Sequence, residues 1–104
     1  MSEYMIYVTF EDETQAQSIC EVVVREKLAA CANIFPSHKS VYWWEGKVQS
    51  ANECAAILKT TDKNLDALKN EIVKRHSYDV PCVVAWSIEK GHAPFLDWIN
   101  REVL

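Results

Sequence analysis

Hydrophobic positions along this chain change their period several times, and each change marks an element. Tyr4 to Phe10 is almost wholly apolar, which predicts a strand that is central or covered on both sides. The polar run Glu11 to Gln15 follows, and Asp12 with Gln15 three residues on matches a capping box. Ala16, Ile19, Cys20, Val23 and Val24 then recur at helical spacing, so one apolar stripe faces a core. Leu28 to Ile34 is uncharged and leads past Pro36 into an aromatic arm, Val41 to Trp44. Ser40 to Thr61 reads as two long strands reversed at Glu45-Gly46-Lys47, with Gly46 free to take a positive φ. On the second arm Glu53, Ala55, Ile57 and Lys59 fall on one face, with Cys54, Ala56 and Leu58 on the other. Thr61 or Asp62 caps a second helix whose predicted stripe is Leu65, Leu68, Ile72 and Val73. Cys82, Val84, Trp86 and Ile88 alternate with Val83, Ala85 and Ser87, a further strand that Gly91 breaks. Pro94 to Leu104 reads as a short terminal helix.

The order strand, helix, strand, strand, helix, strand, with a helix appended, predicts an α+β class. It is the ferredoxin-like βαββαβ sandwich with a long hairpin between its second and third strands and an extra C-terminal helix. Right-handed crossovers place the first and third strands at the centre and the aromatic arm at an edge. An edge that carries Val41, Tyr42, Trp43 and Trp44 offers unpaired backbone and apolar surface to another chain. Those four residues are therefore the expected assembly interface.

Length and charge narrow the function. A chain of 104 residues suits a single domain over 1–104 with one modest core. The net charge of -4 argues against nucleic acid as a partner, because phosphate binding needs a basic face. No stretch approaches the roughly 20 apolar residues of a membrane span. No signal peptide is visible, and the four cysteines form no CxxC pair, so reduced thiols and a cytoplasmic location are expected.

Several segments resemble one family. Leu28-Ala29-Ala30-Cys31-Ala32-Asn33-Ile34 is similar to the LAACxNI signature of the CutA divalent-cation-tolerance proteins. Ser40 to Lys47 resembles that family's SxYxWxGK hairpin, and Leu58-Lys59-Thr60 its LKT. His76, Tyr78 and Pro81 match its HPYxxPE, and Leu96 with Trp98 its YLxWI tail. The resemblance covers nearly the whole chain. It implies a ferredoxin-like protomer, a homotrimer built through the long hairpins, and a role linked to copper or another divalent cation. It also implies a likeness to PII signalling proteins. Four positions depart from the pattern. Val8 stands where copper-binding relatives have a cysteine, Arg75 replaces the first of two histidines, Ser77 a proline and Cys82 a glutamate.

Two sets of side chains carry the candidate chemistry. Cys31 and His76 are the metal candidates, with Cys82 as a further thiolate, since thiolate and imidazole suit soft or borderline ions. With Val8 and Arg75 in place of ligands, weak surface-type binding of copper is expected, with His76 as the residual ligand. Trp44, Glu45, Lys59, His76 and Tyr78 form a second set, expected to converge on a cleft that takes a small anionic ligand, as in a PII-like sensor or scaffold. Against both stands a structural role: Lys59 and Glu45 in interface ion pairs, and Tyr42, Trp44 and Tyr78 filling interface pockets. Cys20 and Cys54 read as core, and His38 and His92 as solvated. No nucleophile–base pair, paired-carboxylate motif or phosphate loop is present, so no enzyme is predicted.

Overall fold

A computed structural model describes residues 2–104. The elements run β1 (Glu3–Phe10), α1 (Glu13–Arg25), β2 (Cys31–Trp44), β3 (Lys47–Thr61), α2 (Asp62–Arg75), β4 (Val83–Ser87) and α3 (Ala93–Glu102). The four strands form one antiparallel sheet in the order β2-β3-β1-β4. The aromatic arm is thus at an edge and β1 and β3 are central, as the connection rules require.

Register decides which side chains share a face. Ile6, Val8 and Phe10 lie opposite Leu58, Ala56 and Cys54, and all six are buried. Ala16, Ile19, Cys20 and Val23 of α1 and Leu68 and Ile72 of α2 close over them as one core. The α1 stripe therefore follows its sequence period. Asp12 caps the helix by accepting from the Gln15 amide at 2.8 Å, but the Gln15 side chain reaches Glu11 instead of closing the box. At the other end Lys27 takes φ 61, while the Leu28 and Lys27 amides donate to the Val23 and Val24 carbonyls. This is a Schellman stop without its usual glycine.

The opposite face of the sheet carries Met5, Tyr7 and Thr9 of β1, Val84 and Trp86 of β4, and Ala55, Ile57 and Lys59 of β3. It also carries Cys31, Asn33 and Phe35 of β2. Val84 and Trp86 are 52% and 45% exposed, so an apolar surface lies open here.

Three expectations need correction. The edge strand starts at Cys31, ten residues before the predicted arm, and it runs through Pro36. A proline lacks the amide a ladder needs, but an edge strand and a bulge both tolerate one. The register shift between Phe35 and His38 supplies the bulge, and the Cys54 thiol donates to the Phe35 carbonyl there at 2.8 Å. In α2, Val73 is 45% exposed, and Asn64 is buried instead. Its side-chain amide donates to the Leu104 carbonyl and the Thr61 hydroxyl, so a polar group is buried without penalty because it is paired. Cys82 and Ile88 lie outside β4, which spans only Val83–Ser87.

The hairpin turn is tight. Trp44 pairs with Lys47, and Glu45 and Gly46 between them have φ 50 and 77. Two consecutive positive φ values are what a type I′ turn requires, and its twist matches that of the long strands.

Candidate functional site

The segment from His76 to Cys82, between α2 and β4, forms one wall of a groove, and the hairpin forms the other. His76 fixes the segment to the sheet. Its Nε2 lies 2.7 Å from the Thr9 carbonyl oxygen and its Nδ1 accepts from the Tyr78 amide at 3.2 Å. A carbonyl only accepts, so Nε2 carries the proton and Nδ1 is bare. The ring also stacks on Phe10 at 5.3 Å and leans on Tyr78 at 4.8 Å. The Tyr78 hydroxyl in turn donates to Glu53 Oε2 at 2.6 Å. Burial first, and then this bond to a carboxylate, push the Tyr78 phenol well above its ordinary range, so it remains a neutral donor.

The groove holds about 590 Å³. Tyr42, Trp43, Trp44, Tyr78 and Val80 give it apolar walls, and Thr9, Ser40, Gln49, Glu53, Asp79 and Cys82 are its polar contributors. Its charged residues are two carboxylates, Glu53 and Asp79. Of the second candidate set, then, Trp44 and Tyr78 line the groove and His76 supports it from below.

Glu45 and Lys59 do not join them. Glu45 is a turn residue at the hairpin tip and does not line the groove. Lys59 lies six residues from Glu53 on β3, about 20 Å along the strand, and its ammonium donates to Asn33 Oδ1. The expected convergence on an anion site therefore fails on strand geometry: sharing a face does not mean sharing a place along it.

The metal candidates are also separated. Cys31 pairs with Lys59, which pairs with Met5, whereas His76 docks on Thr9. Those points, Met5 and Thr9, are four positions apart on β1, about 13 Å. Burial pushes the Cys31 thiol up, and the Lys59 charge pulls it back only in part. Both His76 nitrogens are committed. Among the described residues no group of three His, Cys, Asp or Glu side chains is placed to hold an ion. The donors present do not fit a closed metal centre. Arg75 pairs with Glu71 at 2.6 Å. Cys20 and Cys54 are buried as expected, and burial raises Cys20 to about 12. Cys82 is an exposed free thiol. His38 is half-buried and bonds to Ser40 at 3.2 Å, so it is not merely solvated.

Glu53, Thr9, Gln49 and Asp79 were not in either candidate set. Glu53 did leave a signal, being a carboxylate on a strand face it shares with Ala55 and Ile57. Thr9 acts through its backbone carbonyl and leaves none.

Among the described residues no helix is long and apolar enough to cross a membrane. The profile of the CutA1 divalent ion tolerance protein family matches residues 4–102. The divalent-cation tolerance protein CutA of Archaeoglobus fulgidus is 44% identical over 98 residues, covering 94% of this chain and 95% of that protein. The chloroplastic protein CutA 1 of Oryza sativa is 43% identical over 97 residues, covering 93% of this chain. The chain spans 55% of that plant relative's length. Among solved structures, CutA1 from Oryza sativa aligns with a TM-score of 0.96 at 39% identity, covering 100% of this chain and 95% of that one. The periplasmic divalent cation tolerance protein CutA from Archaeoglobus fulgidus aligns at 0.94 and 41%, covering 98% and 99%. Sequence over nearly its whole length and fold agree: the chain belongs to the CutA1 divalent ion tolerance family.

Proposed function

We propose that this protein acts as a homotrimer in tolerance of, or response to, divalent metal ions, copper foremost, with no catalytic step. The observation that carries the assembly is the open apolar sheet face of Tyr7, Ile57, Val84 and Trp86, which continues along β2 to Tyr42 and Trp44. A surface of that kind on a single chain favours burial against other copies. Copper or a related divalent cation binds weakly and at the surface, because His76 spends both nitrogens on the fold and Cys31 is remote from it. The four free thiols fit a reducing, cytoplasmic setting.

The PII-like alternative, a trimer that binds a small anionic ligand in its clefts, has less support. Glu53 and Asp79 give the groove the wrong sign, and Lys59 is elsewhere. Native mass spectrometry of freshly purified protein tests the reading. A trimer mass without stoichiometric metal or metabolite is expected. A monomer, or a trimer that retains one anionic metabolite per protomer, would overturn it.

A further inference from the structure

The bulge in β2 re-aims one titratable side chain. Phe35 pairs with Ala55 and His38 with Glu53, so β2 advances three residues while β3 advances two. The extra residue reverses the alternation of β2. Without it His38 would fall on the core side of the sheet, with Ala32 and Ile34. With it, His38 shares the open face with Glu53 and stands directly opposite. An imidazole is thus set against a carboxylate on the face that assembly covers. Both residues are already half-buried in the single chain.

Once that face is covered, Glu53 is a charge withdrawn from water, which is costly unless a cation offsets it. Tyr78 is a neutral donor, so its bond to Glu53 cancels no charge. Lys47 and Lys59 are each six residues from Glu53 on β3, about 20 Å away. Lys39 points to the other side of β2 through its pair with Asn52, and α1 and α2 cover that opposite side of the sheet. The other titratable groups here, Tyr7, Tyr42, Asp79 and Cys82, supply no positive charge. His76 is locked neutral, because its Nε2 donates to a carbonyl and its Nδ1 accepts from an amide. His38 is not locked. Its Nε2 lies 3.2 Å from the Ser40 hydroxyl, which donates to a bare nitrogen or accepts from a protonated one equally well.

We propose that assembly is coupled to proton uptake at His38: the trimer closes over a protonated imidazole that serves as counter-charge to Glu53, so acid tightens the assembly and alkali loosens it. This switch rests on the trimer reading and adds a regulation to it. An imidazole free in water is protonated below about pH 6.5. Above that value the assembled state holds the extra proton and the free protomer does not. Association is therefore strongest at the acid end and falls as pH rises, by up to about tenfold per protomer for each pH unit.

Sedimentation equilibrium at fixed ionic strength, from about pH 5.5 to about pH 8.5, tests it across the histidine range. Where the trimer is too tight to dissociate on dilution, subunit exchange with isotope-labelled chain, read by native mass spectrometry, gives the same dependence as a rate. The parent's association should weaken, and its exchange quicken, as pH rises. His38→Gln, which still bonds to Ser40, and Glu53→Gln, whose amide oxygen still accepts from Tyr78, should each abolish the acid preference. His38→Lys supplies a fixed charge and should hold the assembly tight with no slope across the same range. A parent trimer indifferent to pH, or a slope that survives in His38→Gln, would overturn the switch and leave the trimer standing. A chain that is monomeric throughout would refute both.

Discussion

The Tyr78 hydroxyl donates to Glu53 Oε2 at 2.6 Å and so ties the segment after α2 to the middle of β3. Tyr78→Phe should cost about 1.5–3 kcal/mol at neutral pH, the range for a hydrogen bond to a charged group, read from urea melts. The same bond predicts a pH dependence. The folded-state pKa of Tyr78 is raised above the ordinary phenol value of 10.0, by burial first and then by Glu53. Its stabilisation is therefore complete below about pH 10 and is lost as pH rises beyond it. Tyr7 is shifted the same way, chiefly by burial, so Tyr78→Phe should flatten this alkaline loss without abolishing it. An unchanged slope above pH 10 would show that the bond does not couple to folding.

His76→Ala removes a bond to the Thr9 carbonyl, an acceptor for the Tyr78 amide and a stack on Phe10. A loss of about 2–3 kcal/mol is expected, from two hydrogen bonds and one aromatic contact. Copper binding should move much less. Isothermal titration of the metal-free, reduced protein with divalent copper should give weak binding in both forms. One tight stoichiometric site per protomer, abolished in the variant, would reverse the assignment of His76 from a structural clasp to a ligand.

Aspartate at both Trp43 and Trp44 would place charge on the aromatic edge arm, where both side chains are exposed in the single chain. Within an assembly interface that charge would be buried without a partner, at a cost of several kcal/mol. The double variant should sediment as monomer while the parent sediments as trimer. The parent's thermal midpoint should also rise with protein concentration wherever unfolding is reversible. Identical sedimentation of the two forms would mean that the arm is not the assembly surface.

Glu45 occupies the first central position of a type I′ turn at φ 50, where Asn is preferred over Glu. Glu45→Asn should stabilise the protein by about 0.5 kcal/mol in denaturant melts, through relief of left-handed backbone strain. An unchanged or lower stability in the variant would show that the Glu45 backbone is not strained.

The chain's local pattern alone determines much of this protein. The stripe Ala16, Ile19, Cys20 and Val23 repeats within one helix, and Glu45-Gly46 sits between two runs of period two. Such signals arise between residues a few positions apart, so they are complete before the chain folds. Element order then fixes the sheet order through crossover handedness, and β2 duly lies at the edge. What only the tertiary structure decided are meetings between residues distant in sequence. Tyr78 finds Glu53 across 25 positions, and His76 finds the Thr9 carbonyl across 67. No period encodes such a pair. It depends on strand register and on where the segment after α2 crosses the sheet, and in one case on a backbone atom that every residue possesses. The same reason separates Lys59 from Tyr78 and Cys31 from His76. Residue type made them plausible partners, but a strand advances about 3.3 Å per residue, and distance along it keeps them apart.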